Sequence, residues 1–136
     1  MPSKRTETDI YQDIKNILTT DDIHCLVLDT SLCFSSPGIP DLMVLHSKGV
    51  TFLEVKLEPW GMKPRQYSVQ VEICQKLSTP NNYRLLVFEK PIRDGERITL
   101  DTQVRVYSKP LIDSTSAKSL ELSSMSFGDF IKNNFY

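Results

Sequence analysis

Gly38-Ile39-Pro40-Asp41-Leu42-Met43-Val44-Leu45-His46-Ser47-Lys48-Gly49-Val50-Thr51-Phe52-Leu53-Glu54-Val55-Lys56 is the stretch whose reading decides the fold. Leu42 to Leu45 and Val50 to Val55 are apolar and rich in β-formers, while His46-Ser47-Lys48-Gly49 offers polar turn residues and a glycine free to take positive φ. The pattern predicts a β-hairpin. With Leu45 paired to Val50 across the four-residue loop, Leu42 falls opposite Leu53 and Asp41 opposite Glu54. Directly opposed Cβ atoms lie roughly 4.5–5.5 Å apart, where like charges repel. Period-two alternation sends Lys56 to the same face as Glu54. A divalent cation is the economical offset to that repulsion, because hard ions such as Mg²⁺ take oxygen ligands and often use one or two carboxylates.

Upstream, Ser35-Ser36-Pro37-Gly38 reads as a turn, and Pro40 biases Ile39 to extended backbone, which delivers Asp41 at the start of its strand. His24 to Phe34 is β-rich and predicts a strand beside the hairpin, bending at Asp29 to Ser31. Ile10, Tyr11, Ile14, Ile17 and Leu18 recur at helical spacing, with Thr6 as the N-cap. Glu7 stands on the apolar stripe of that helix, where its carboxylate either finds a partner or serves the positive end of the helix dipole.

Downstream, Leu57 to Met62 is a loop, and Lys63-Pro64 opens a second helix marked by Tyr67, Val69, Ile73 and Leu77. Gln66 and Gln70 sit one turn apart on one face of it. Lys63, Arg65 and Lys76 form either a patch for backbone phosphates or an ordinary solvated face. Tyr83 to Phe88 predicts a strand that returns parallel to the second hairpin strand. Lys90 to Asp101 is polar around an Asp94-Gly95 turn, and a further strand is expected near Gln103 to Tyr107. Leu111 to Ser126 reads as a loop or partly helical connection. Phe127, Phe130, Ile131 and Phe135 then predict a C-terminal helix that packs on the domain or on a second subunit.

A chain of 136 residues with 40% hydrophobic residues suits a single domain with one core. A formal net charge of −1 advertises no general polyanion binding, so any nucleic-acid contact must use a local patch. No apolar run approaches the ~20 residues of a membrane span, and no signal-type segment follows Met1. The expectation is a soluble, intracellular protein that is neither secreted nor membrane-bound. Cys25, Cys33 and Cys74 lack paired spacing and read as reduced thiols. With His24 and His46 the only histidines, a His-centred site has almost no material.

Pro40-Asp41 followed by Glu54-x-Lys56 resembles the signature of the PD-(D/E)XK nuclease superfamily, and Gly38-x-Pro40-Asp41-Leu42 is similar to its virus-type replication-repair (VRR-NUC) and Holliday-junction-resolvase-like branches. The likeness covers roughly Thr6 to Phe88. It implies an α/β fold: a restriction-endonuclease-like αβββαβ core with a mixed sheet over about 6–90, and a peripheral C-terminal strand and helix over about 91–136. It implies a metal-dependent nuclease, an endonuclease acting on branched DNA or on repair and replication intermediates. Asp41 and Glu54 would bind Mg²⁺ or Mn²⁺ with the Val55 carbonyl and Glu7. Lys56 would act on the attacking water or the developing phosphorane. The family's helix glutamine matches Gln66 better than Gln70, and Lys63 and Arg65 would meet phosphates. A homodimer is expected from the same likeness, with the C-terminal helix as a candidate surface. The competing readings are an inactive nucleic-acid-binding or assembly module on the same fold, an RNA endonuclease, and a structural ion-pair cluster in an interaction protein.

Overall fold

A computed structural model describes residues 7–20, 22–30, 38–77, 82–88, 97–118 and 123–136. Thr6, the 31–37 segment with Cys33, the Ser78 to Asn81 break and the Asp94-Gly95 turn lie outside the described residues. So does the side chain of Glu7.

The elements run α1 (Glu7–Leu18), β1 (Leu26–Asp29), β2 (Leu42–His46), β3 (Gly49–Leu57), α2 (Pro64–Lys76), β4 (Tyr83–Phe88), β5 (Gln103–Tyr107), α3 (Ser114–Lys118), β6 (Ser123–Ser126) and α4 (Phe127–Phe135). The result is a mixed α/β arrangement in which a six-stranded sheet, ordered β1 to β6, is flanked by helices. Strands β3 and β4 pair in parallel across the α2 connection, and every other pairing is antiparallel.

The hairpin register is the expected one, with Leu42 opposite Leu53 and Leu45 opposite Val50. Pairing continues to His46 opposite Gly49, so the connection is shorter than four residues. Gly49 has φ +131°, which lets the chain reverse that tightly. Strand β1 is limited to four described residues, shorter than the His24 to Phe34 run suggests. His24 takes φ 59° just before it, closing the connection from α1.

Alternation along β3 divides the chain's apolar side chains between the two faces of the sheet. Leu53 and Val55 join Leu42, Val44, Leu86 and Phe88 under α1 and α4, where Ile10, Ile14, Leu18, Phe127, Phe130, Ile131 and Phe135 complete the larger cluster. The opposite face carries a smaller cluster of Trp60, Met62, Tyr83, Leu85, Val87, Tyr107 and Leu111, joined by Tyr67 and Cys74 from α2. The C-terminal elements therefore help build the main core. The four apolar residues of α4 are buried within this chain, so its apolar face is not available as the dimer surface that the sequence suggested.

Strand β6 has no counterpart among the sequence expectations, because Ser123-Ser124-Met125-Ser126 lacks β-formers. It forms because pairing with β5 sets Met125 opposite Val104 over the core, and because it leads directly into α4. Ser126 caps that helix, its Oγ accepting from Asp129 N at 3.1 Å. On α1, the buried Asp13 accepts from Ile98 N at 3.0 Å and pairs with Arg97 at 3.6 Å, pinning the chain that enters β5. Among the described residues no helix is long and apolar enough to cross a membrane.

Candidate active site at the hairpin's charged end

Asp41 stands one residue beyond the Leu42–Leu53 pair, at the level of Glu54 in β3. Its Oδ2 accepts from Val55 N at 2.9 Å, so the carboxylate is turned onto the neighbouring strand and held there. The loop carrying it is fixed from β1. Thr30 Oγ1 donates to the Pro40 carbonyl and, at 3.0 Å, to the Asp41 carbonyl, while Thr30 N donates to Asp41 O at 3.2 Å.

Glu54 and Lys56 share the α2 face of the sheet, because leucine and valine at 53 and 55 claim the opposite face for the larger cluster. Glu54 is fully buried and Lys56 is buried. Ionised groups at such depth are costly unless paired or hydrogen-bonded, and α2 brings the group that answers both. Gln66 Nε2 donates to Glu54 Oε2 at 3.0 Å and to Oε1 at 3.3 Å, while Lys56 Nζ donates to Gln66 Oε1 at 3.4 Å. The amide is oriented by charge: its NH₂ meets the anion and its oxygen meets the cation. Gln66 belongs beside the acidic pair for that reason.

Gln70, one turn along, has a different task. Fully buried, it donates from Nε2 to the Gly38 carbonyl at 3.2 Å and accepts the Tyr83 hydroxyl at Oε1. Burial pushes the Tyr83 phenol well above its ordinary range, and the nearby Glu54, Cys74 and Asp41 add to the shift. The phenol therefore stays protonated and able to donate. Lys63 and Arg65 are exposed at the start of α2, with Lys63 at the N-cap in extended backbone and no side-chain cap bond. Val55 is buried and enters the site through its amide N–H. Thr30 and Tyr83 carry no sequence signal beyond strand propensity, and Gln70 stands in the sequence only as the alternative to Gln66.

The donor chemistry suits a hard divalent ion. Two carboxylates, an amide oxygen and backbone carbonyls are oxygen ligands, the donor type that hard ions take. Among the described residues no group of three or more His, Cys, Asp or Glu side chains is placed to hold a metal. An ion here would rest on Asp41 and Glu54 with carbonyl and water oxygens, a set that Mg²⁺ commonly uses. Concavity does not single the site out. An apolar groove of about 320 Å³ runs beside it past Ile39, Phe52 and Val69, and a polar cleft of about 450 Å³ surrounds Arg84, Lys109 and Asn134.

Compared with known proteins, the chain matches no protein-family model and no curated protein.

Proposed function

We propose that this protein is a metal-dependent nuclease of the PD-(D/E)XK type that hydrolyses phosphodiester bonds at the charged end of the hairpin. The observation that carries the reading is the Gln66 amide bridging Glu54 and Lys56 beside an Asp41 carboxylate anchored on Val55 N. Acid, acid and base thereby meet on one sheet face. Asp41 and Glu54 are the residues that would hold Mg²⁺ or Mn²⁺, together with the Val55 carbonyl and, as a third acidic group, Glu7. The ion would supply Lewis acidity, lowering the pKa of water and neutralising charge on the scissile phosphate.

The chain's own residues do the rest. Lys56 points its ammonium into the site from a buried stem and orients the attacking water or stabilises the developing phosphorane. Gln66 keeps Lys56 and Glu54 in fixed relation, so neither reorganises as charge shifts. Lys63 and Arg65, exposed at the opening turn of α2, meet backbone phosphates without reading bases. A small domain recognising phosphates in this way discriminates by shape, so the substrate is structured DNA, branched in preference to linear, acted on inside the cell. The resemblance to resolvase-like nucleases further supports a homodimer, built on a surface other than α4.

The complete burial of Glu54, with both oxygens engaged by Gln66, favours a second reading: a nucleic-acid-binding module that keeps the fold without the reaction. One panel separates them. Purified protein is incubated with Mg²⁺ or Mn²⁺ and linear, single-stranded, flapped and four-way DNA, and RNA, alongside Asp41→Asn. Metal-dependent cleavage lost in the variant supports the nuclease. Binding without cleavage supports the module, and preference for RNA overturns the DNA assignment. Light scattering on the same preparation is expected at the dimer mass; the monomer mass at micromolar concentration removes the homodimer.

A further inference from the structure

A polar support lies beneath the proposed site, and its members take no part in the steps above. Tyr83 and Gln70 are 3% and 0% exposed, set against a cluster containing Trp60, Met62, Leu85 and Val87. Hydrophobic side chains of similar size would pack there without giving up hydrogen bonds to water, whereas a buried amide or phenol is costly if left unbonded. Both are bonded, and the bonds form a line: Tyr83 hydroxyl to Gln70 Oε1, then Gln70 Nε2 to the Gly38 carbonyl at 3.2 Å. The line crosses from β4 through α2 to the loop that delivers Asp41.

Gly38 is where that loop presses on α2. Its φ of +90° disfavours a side chain, and a Cβ there would stand 3.1 Å from Gln66 Cα, 3.2 Å from Arg65 O and 3.3 Å from Val69 Cβ. The turn of α2 in contact is the one that presents Gln66 to Glu54. Thr30 holds the loop from β1 while Gln70 holds it from the helix. We infer that Tyr83 and Gln70 are positioning residues that set the spacing between Asp41 and the Gln66–Glu54 pair, and thereby the affinity of the site for its divalent ion. This inference rests on the metal-dependent reading above.

The test compares wild type with Gln70→Met, which keeps the volume without the amide, and Tyr83→Phe, which removes only the hydroxyl. Two quantities are read: the Mn²⁺ dissociation constant by calorimetry without substrate, and the metal concentration at half-maximal cleavage. Loss of a group that hydrogen-bonds a metal ligand costs about 10- to 100-fold in metal affinity, and a support acting one bond further out, through the loop backbone, is expected at the low end of that range. Gln70→Met is expected to raise both quantities about tenfold and Tyr83→Phe by a smaller factor, with the rate at saturating metal within about twofold of wild type. If Gln70→Met fails to fold, Tyr83→Phe carries the test. Variants that melt earlier but keep wild-type Mn²⁺ affinity would show a support of stability alone and overturn the inference while leaving the nuclease intact. Wild type that takes up no Mn²⁺ would overturn the metal reading, and this inference with it.

Discussion

The two faces of the sheet differ in what they bury. Under α1 and α4 lies the larger cluster, aliphatic and phenylalanine side chains in mutual contact, with Asp13 and Asn134 as buried polar groups on the covering helices. Under α2 the cluster is smaller, and beside it stand Glu54, Lys56 and Gln70, all buried. The first face exchanges water for apolar contact and stabilises the fold. The second carries desolvated charge and amide groups whose value depends on their partners. The larger apolar core and the buried charged groups lie on opposite sides of one sheet, and strand β3 contributes alternate residues to each.

Substitutions on each face sharpen that division. Phe130→Ala empties a fully buried position on the apolar face and should cost about 3–5 kcal/mol in denaturant unfolding. Molecules that remain folded should retain wild-type specific activity; a selective loss of rate would break the division. Lys56→Ala is expected to lower the cleavage rate about 10²- to 10³-fold, with metal affinity preserved, because its role belongs to the transition state. Calorimetry showing lost affinity and normal turnover at saturating metal would reverse that role. Gln66→Ala should reduce activity more than Gln70→Ala at saturating metal, since Gln66 touches both Glu54 and Lys56 while Gln70 touches the loop. Kinetics with the opposite ranking would move the critical amide one turn along α2.

The smallest effect concerns His46, on the apolar face beside Phe135 with ring centroids 4.7 Å apart. Burial, then Lys48, lowers its pKa below the ordinary 6.5. Its unfolded form binds the proton more readily, so the contribution is complete above about 6.5 and is lost as pH falls through that value towards the lowered one. Its Nδ1 accepts from Lys48 N at 3.2 Å, a bond that protonation removes. Wild type should melt progressively earlier than His46→Gln as pH drops below about 6.5. Parallel melting curves across that range would remove His46 from the account.

The hairpin was legible because two β-rich runs flank a polar turn with a glycine, and its register followed from pairing Leu45 with Val50 across that turn. Asp41, Glu54 and Lys56 could be grouped by counting along two strands. Gln66 could be favoured by spacing, but its bridging role depends on how α2 docks, which no local pattern encodes. Gln70 is separated from Gln66 only by spacing in the sequence, and the weak patterning of α2 does not show that the helix buries that amide completely. Thr30 and Tyr83 escaped notice for a related reason: their partners, Pro40, Asp41 and Gln70, are distant in sequence. Strand β6 was missed because serine does not favour strands and its pairing is imposed by the neighbouring β5. The C-terminal helix was plain from its phenylalanine spacing, but its burial against the chain's own core required the three-dimensional arrangement.

Glu54→Gln separates a charged face that serves reaction from one that serves stability. The change keeps the shape of a fully buried side chain while removing one of two neighbouring negative charges. Thermal melting and metal-dependent cleavage should be measured on the same preparation. Cleavage should be lost with a melting temperature near that of wild type, relief of the Asp41–Glu54 repulsion offsetting the acceptor oxygen that Gln66 Nε2 loses. A variant that melts well below wild type while cleaving at the wild-type rate would contradict a face that serves reaction.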